Sequence, residues 1–279
     1  MNRSAAILSC LLLALCACSP GTKSEASLKL YVFDCGVLSF DSVEWFGISD
    51  DETDVRDLSV PCYVIEHEKG RLLWDGGLPS RLAEVDGWQE EDGMRMRLDR
   101  TLGEQLADLG LDMSSFDFMA FSHMHFDHVG AANEVEGATL IIQKAEYAAA
   151  FANDAVAAGL DPSLYEGLRN ADRVMLEGEH DVFEDGRVRI IPAPGHTPGH
   201  QVLFIQLDAT GPVVLSGDLY HFRFSRENRR VPTFNTDAQM SLESMDRIEA
   251  LVEETGATLW IEHELAWFEQ LRKAPLYYD

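Results

Sequence analysis

Positive charge is what this chain has least of. Its 279 residues carry 22 Lys and Arg against 48 Asp and Glu, a formal net charge of −26. Such a balance repels phosphate backbones and anionic membrane surfaces at long range, which argues against nucleic acid as a partner and favours a small neutral substrate. Most of the acidity, including Asp50-Asp51-Glu52 and Glu90-Glu91-Asp92, reads as solvated surface rather than as ligands. Cysteine is scarce as well, with 5 in all, and Cys10, Cys16 and Cys18 crowd the N-terminus. Only Cys35 and Cys62 remain for a folded part, and neither has a partner at ligand spacing, so a thiolate metal site is excluded. Each lies in a strand-like run, and two buried free thiols are the expectation. Linkers and internal repeats are absent too. With 46% hydrophobic residues the chain has ample material for one core, so residues 28–279 read as one domain.

Long apolar runs are missing except near the start. Ala5 to Leu15 follows Arg3 and is too short to span a bilayer. It leads into Leu15-Cys16-Ala17-Cys18, which fits a lipoprotein-type signal over residues 1–18, with Cys18 as the lipidated first residue of the mature protein. Cys16 follows the large Leu15 and is the poorer candidate. Residues 19–27, rich in Ser, Gly, Thr and Lys, read as a tether. The expectation is an exported, periplasmic protein anchored to the outer membrane, touching lipid only through Cys18.

What the chain does have is a dense cluster: His123-Met124-His125-Phe126-Asp127-His128. Imidazole nitrogens and carboxylate oxygens suit zinc and neighbouring first-row metals. The apolar run before the cluster places it where a buried strand gives way to a loop. In an extended stretch His123, His125 and Asp127 share a side, whereas Asp127 and His128, consecutive at the turn, are free to face a second ion. Three later strand-like runs also end in donors. Val188 to Ile191 leads to Gly195-His196, Pro212 to Leu215 leads to Gly217-Asp218, and Trp260-Ile261-Glu262 leads to His263. Several strand ends each delivering a donor build a pocket along one sheet edge.

In this order the residues resemble the metallo-β-lactamase superfamily over nearly the whole mature chain. Leu73-Trp74-Asp75-Gly76-Gly77, the position of Asp218 and the final His263 are most similar to the N-acyl-homoserine lactonase branch. The resemblance implies an α/β fold, a four-layer αβ/βα sandwich; periodicity alone gives a mixed α and β class. It implies two zinc ions, or other divalent first-row metals, with His123, His125 and His196 holding one, Asp127, His128 and His263 the other, and Asp218 bridging them. A shared, activated water would then open the lactone ring, Asp127 helping to orient it and move its proton. The aspartate at position 218 argues against antibiotic hydrolysis as the main activity, because β-lactamases of this fold usually offer cysteine or serine there.

One departure bears on substrate. Homoserine lactonases of this type usually carry a tyrosine three residues after the bridging aspartate, where this chain has His221, with Tyr220 one residue earlier. Either Tyr220 reaches the substrate through a shifted loop, or His221 takes its place, or the substrate differs. Another ester, thioester or β-lactam hydrolysis is therefore the first alternative, and metal sequestration without turnover the second. Trp45, Phe46, Ile48, Phe222 and Phe224 are candidates for an acyl-binding wall. The run Arg223, Arg226, Arg229 and Arg230 is expected to pair with nearby carboxylates. Helical patterns span Met94 to Leu109, Lys144 to Ala152 and Met240 to Glu254.

Overall fold

Alternation of side chains along the first strands decides the layering. A computed structural model describes residues 28–91 and 93–279; the signal-like residues 1–18 with Cys18, and the tether 19–27, lie outside the described residues. In chain order the elements are β1 (Lys29–Phe40), β2 (Asp57–His67), β3 (Gly70–Trp74), β4 (Gln89–Glu91), β5 (Met94–Arg97), α1 (Leu102–Ala107), β6 (Phe118–Ala120), β7 (Thr139–Gln143) and α2 (Lys144–Ala150). There follow β8 (Arg173–Leu176), β9 (His180–Asp181), β10 (Val188–Pro192), β11 (Gln201–Leu207), β12 (Gly211–Leu215), α3 (Arg223–Asn228), α4 (Ala238–Thr255), β13 (Thr258–Trp260), α5 (Leu265–Phe268) and β14 (Tyr277–Tyr278).

Two mixed sheets result. The larger runs β4-β5-β1-β2-β3-β6-β7-β8, with β14 added to β1, and the smaller runs β13-β12-β11-β10-β9. On β1, Leu30 and Val32 face inward and pack with Ile65 and Trp74 against Ile190, Leu203 and Leu215 of the second sheet. Tyr31 and Phe33 point to the opposite face, where Leu102 and Leu106 of α1 cover them, as period two requires. The outer face of the second sheet packs Val202, Phe204 and Val214 against Met245 and Ile248 of α4. Helix, sheet, sheet and helix make the four-layer αβ/βα sandwich.

Two local expectations are corrected. The segment expected to be helical from Met94 to Leu109 opens as strand β5, because Met94 and Met96 join the core beside Leu38 and Leu58 while the strand pairs with the end of β1. The helix starts later, at α1, where Thr101 and Glu104 form a reciprocal capping box. Cys35 and Cys62 are not free thiols but a disulfide. The β1–β2 register shifts between Asp34 and Val37, and this irregularity brings the Cα atoms of the two cysteines to 5.8 Å.

Direction along the strands positions the site. β3 and β6 are parallel, β12 and β13 are parallel, and β10 is antiparallel to β11, which is antiparallel to β12. The C-terminal ends of β3 and β6 therefore share one edge of the first sheet, and those of β10, β12 and β13 share one edge of the second.

Candidate metal centre

Each of these strand ends delivers a polar side chain into one buried cluster. After β6 the chain turns at Phe126–His128, closed by the bond from the His128 N–H to the His125 carbonyl at 3.1 Å. His123 Nε2, His125 Nδ1 and His196 Nε2 converge, at 2.8 Å between the first two and 3.1 and 3.0 Å from His196. Three ring nitrogens facing one another cannot all be satisfied by protons, whereas the edge of a tetrahedron with zinc–nitrogen arms is about 3.3 Å. The second group is Asp127, His128 and His263. Asp218 stands between the groups: Oδ2 lies 3.2 Å from His196 Nε2, and Oδ1 lies 3.3 Å from His128 Nε2 and 3.0 Å from His263 Nε2. His128 Nε2 and Asp218 Oδ1 are buried without a hydrogen-bond partner. Orphaned buried atoms in an N,O donor set fit two divalent first-row ions.

The outward ring nitrogens of His128, His196 and His263 are also occupied, which fixes where their inner lone pairs point. His128 Nδ1 meets Asp75 Oδ2 at 3.2 Å, His196 Nδ1 meets Asn235 Oδ1 at 2.9 Å, and His263 Nδ1 meets the Ser59 carbonyl at 2.7 Å. Asp75 follows β3 with φ of 57°, and its Oδ1 also accepts the Ser122 N–H at 2.6 Å. Glu146 on α2 is buried and accepts from the Met124 N–H, the Thr197 hydroxyl and the Gly199 N–H, so one carboxylate ties the 123–128 loop to the 196–200 loop. His200 Nδ1 donates to the Ala193 carbonyl, and its Nε2 accepts the Asp218 N–H at 2.9 Å. Burial pushes His200 down to about 3, so it stays neutral in that role. Gly217 permits the approach: a Cβ there would lie 2.6 Å from Ser122 Cβ.

Charge is divided unevenly. Burial, then the neighbouring imidazoles, holds His123 and His125 well below the usual histidine range. Burial acts the same way on His128, but Asp218, Asp127 and Asp75 outweigh it and raise that group well above 6.5. His263 is raised likewise, burial being overcome by Asp218. Burial alone would raise Asp218, yet His263, His221, His128 and His123 bring it well below the ordinary carboxylate range.

Of the two residues proposed beside the donors, one faces the site. Tyr220 is extended, with φ of −140° and ψ of 131°, so its side chain and that of His221 leave on opposite sides. Tyr220 turns away and donates to Glu249 Oε1 at 2.9 Å, which Arg226 also holds at 2.8 Å. Of the alternatives the sequence left open, this arrangement turns His221 and not Tyr220 toward the donors. His221 turns in, with Nε2 3.1 Å from Asp218 Oδ2, and its ring lies 4.8 Å from that of Phe46.

The cavity over the cluster measures about 290 Å³; His125, Asp127, Asp218, His221 and His263 form its polar side and Trp45, Phe46, Met94, Phe126 and Phe234 much of the apolar wall. Ile48 and Phe222 belong to the adjoining core instead. Arg226, Arg229 and Arg230 pair with Glu249, Asp246 and Glu52, as expected. A third donor group, His67, Glu68 and Asp185, already surrounds the Arg187 guanidinium and is an ion-pair network. Asp75, Glu146 and Asn235 were missed as site residues. Only Asp75, a carboxylate at the end of an apolar strand, carries the signal shared by the other donors.

A sequence profile described as the Metallo-beta-lactamase superfamily matches residues 55–255. The chain belongs to that superfamily. It is 31% identical over 236 residues to the N-acyl homoserine lactonase AttM of Azorhizobium caulinodans, covering 80% of this chain and 88% of that one. Identity to the N-acyl homoserine lactonase AiiA of Bacillus thuringiensis subsp. kurstaki is 26% over 226 residues, covering 79% and 87%. Among solved structures, an N-acyl homoserine lactone hydrolase with the product N-hexanoyl-L-homoserine bound at its catalytic metal center superposes with a TM-score of 0.76 at 25% identity, over 90% of this chain and 99% of that one. These similarities place the chain in the lactonase-like branch.

Proposed function

We propose that this superfamily member is a metal-dependent hydrolase that opens the ring of N-acyl homoserine lactones, a quorum-quenching activity. The observation that carries the reading is the convergence of seven donors, His123, His125, His196, Asp127, His128, His263 and Asp218, beneath a cavity whose remaining wall is apolar and aromatic. Similarity to lactonases along most of the chain supports the same substrate class. Two zinc ions, or other divalent first-row ions, would be held by these residues and would supply Lewis acidity and an activated water. Asp127 faces the cavity and is placed to accept and pass on a proton. His221 lines the cavity with its Nε2 held 3.1 Å from Asp218 Oδ2, at the sequence position where a tyrosine is usual in the branch. The aromatic wall excludes water from an acyl chain and favours a neutral amphiphile over a charged substrate. The reading includes export and lipid anchoring at Cys18, supported by the Leu15-Cys16-Ala17-Cys18 pattern alone.

The test is proton release by zinc-loaded protein across short-chain and long-chain homoserine lactones, beside His123→Ala. Acidification should fall by roughly a thousandfold or more in the variant, about 4 kcal/mol of transition-state stabilisation. Metal-replete protein that releases no protons from any lactone would overturn the substrate assignment.

A further inference from the structure

We infer that Asn235, itself oriented by Ser241, is the positioning residue that selects the tautomer of His196 and thereby sets how tightly the first donor group holds its ion. The inference rests on the metal-centre reading above and adds to it a residue outside both the donor set and the cavity wall.

The argument is one of counting protons. Ser241 sits in the first turn of α4, and its hydroxyl donates to the Asp237 carbonyl at 2.8 Å. A hydroxyl has one proton, so toward Asn235 it can only accept, and the Asn235 amide nitrogen lies 2.9 Å away. That choice fixes which way the amide faces. Asn235 Oδ1 is thereby turned to His196 Nδ1 at 2.9 Å. An amide oxygen cannot donate, so His196 must carry its proton on Nδ1, which leaves the Nε2 lone pair aimed at the centre beside His123 and His125.

The backbone holds the relay in register. The Thr236 N–H donates to the His196 carbonyl at 3.0 Å and the Asp237 N–H to the Gly195 carbonyl at 2.9 Å. Gly195 has φ of 135°, and a Cβ on it would fall 2.3 Å from the Ser241 nitrogen, so only glycine lets the His196 loop dock on the helix start. The same segment reaches the cavity mouth, where the Thr233 N–H and hydroxyl both donate to the Trp45 carbonyl, at 2.8 and 3.0 Å. A neutral amide performs for His196 what the carboxylate of Asp75 performs for His128.

The experiment uses the full chain and three variants, with zinc as the probe. Asn235→Leu keeps the shape and removes the acceptor, Asn235→Asp keeps the acceptor, and Ser241→Ala frees the amide to flip. Zinc affinity is read by competition with a chelator, and the His196 ring by nitrogen NMR shifts in metal-free protein. The Leu variant should lose ten- to hundredfold in affinity for the first ion and show mixed His196 tautomers. The Asp variant should match or exceed the parent, and Ser241→Ala should fall between. Equal affinity in the Leu variant and the parent, or equal weakening in Leu and Asp, would overturn the inference. If the Leu variant fails to fold, the contrast between Asp and Ser241→Ala decides. A parent chain that binds no zinc would defeat the metal reading alone, and the tautomer shifts would still judge Asn235.

Discussion

The two halves of the donor cluster handle charge in opposite ways. His123, His125 and His196 meet nitrogen to nitrogen, and burial holds His123 and His125 neutral, the state that ligates. His128 and His263 lie among Asp127, Asp218 and, for His128, Asp75, and these carboxylates raise both histidines against the pull of burial. Orienting partners follow the same division, a neutral amide for His196 and a carboxylate for His128. One half is prepared by removing protons and the other by supplying negative charge that a dication must offset. The halves should therefore respond differently to the same perturbation.

Removing Asp75 is the largest way to separate them. Its Oδ2 orients His128, and its Oδ1 accepts the Ser122 N–H at the head of the ligand loop. Asp75→Ala should weaken the second ion by roughly ten- to hundredfold, while the first, which Asp75 does not touch, changes far less. Stepwise chelator titration checks this, and equal weakening of both ions would show that the halves are one unit.

Acid is the next lever, and its sign follows from the shifts. A raised histidine binds its proton at a pH where a lowered one is still bare. As pH falls, protons should compete with the ion at His128 and His263 before they compete at His123 and His125. Metal content after dialysis at stepped pH should pass through a plateau near one ion per chain. Simultaneous loss of both would contradict the unequal division of charge.

How much of this was legible depended on how local each feature is. Strand-to-loop donors are readable because apolar runs and the residues that end them are contiguous: Phe118–Ala120 leads to His123, Gly211–Leu215 to Asp218. The layered fold follows from the family resemblance, and the alternation in β1 agrees with it. Features that depend on register or on distant partners were not readable. The Cys35–Cys62 bond needs the β1 irregularity, and β5 looked helical because Met and Arg also favour helices. Glu146 appears in sequence as one more polar helix residue, and only the docking of Gly199 and Thr197 on α2 shows that it is buried.

The pair Tyr220 and His221 was undecidable in sequence for the same reason, because one backbone conformation settles which of two adjacent side chains turns inward. It also supplies the smallest predicted effect. The Tyr220 hydroxyl is taken by Glu249, which Arg226 holds on the far side of the segment from the donors. Tyr220→Phe should therefore leave kcat/KM for lactone opening within about twofold while costing on the order of 1 kcal/mol of stability for the lost hydrogen bond. His221→Ala, by contrast, removes a group that lines the cavity and should lower kcat/KM by about tenfold or more, with a loss of stability as well because its ring is buried against Phe46 and Phe222. Steady-state kinetics and thermal melts on the two variants separate the roles. A Tyr220→Phe enzyme that loses activity at unchanged stability would mean that the segment turns over when substrate binds, and that the tyrosine, not the histidine, meets it.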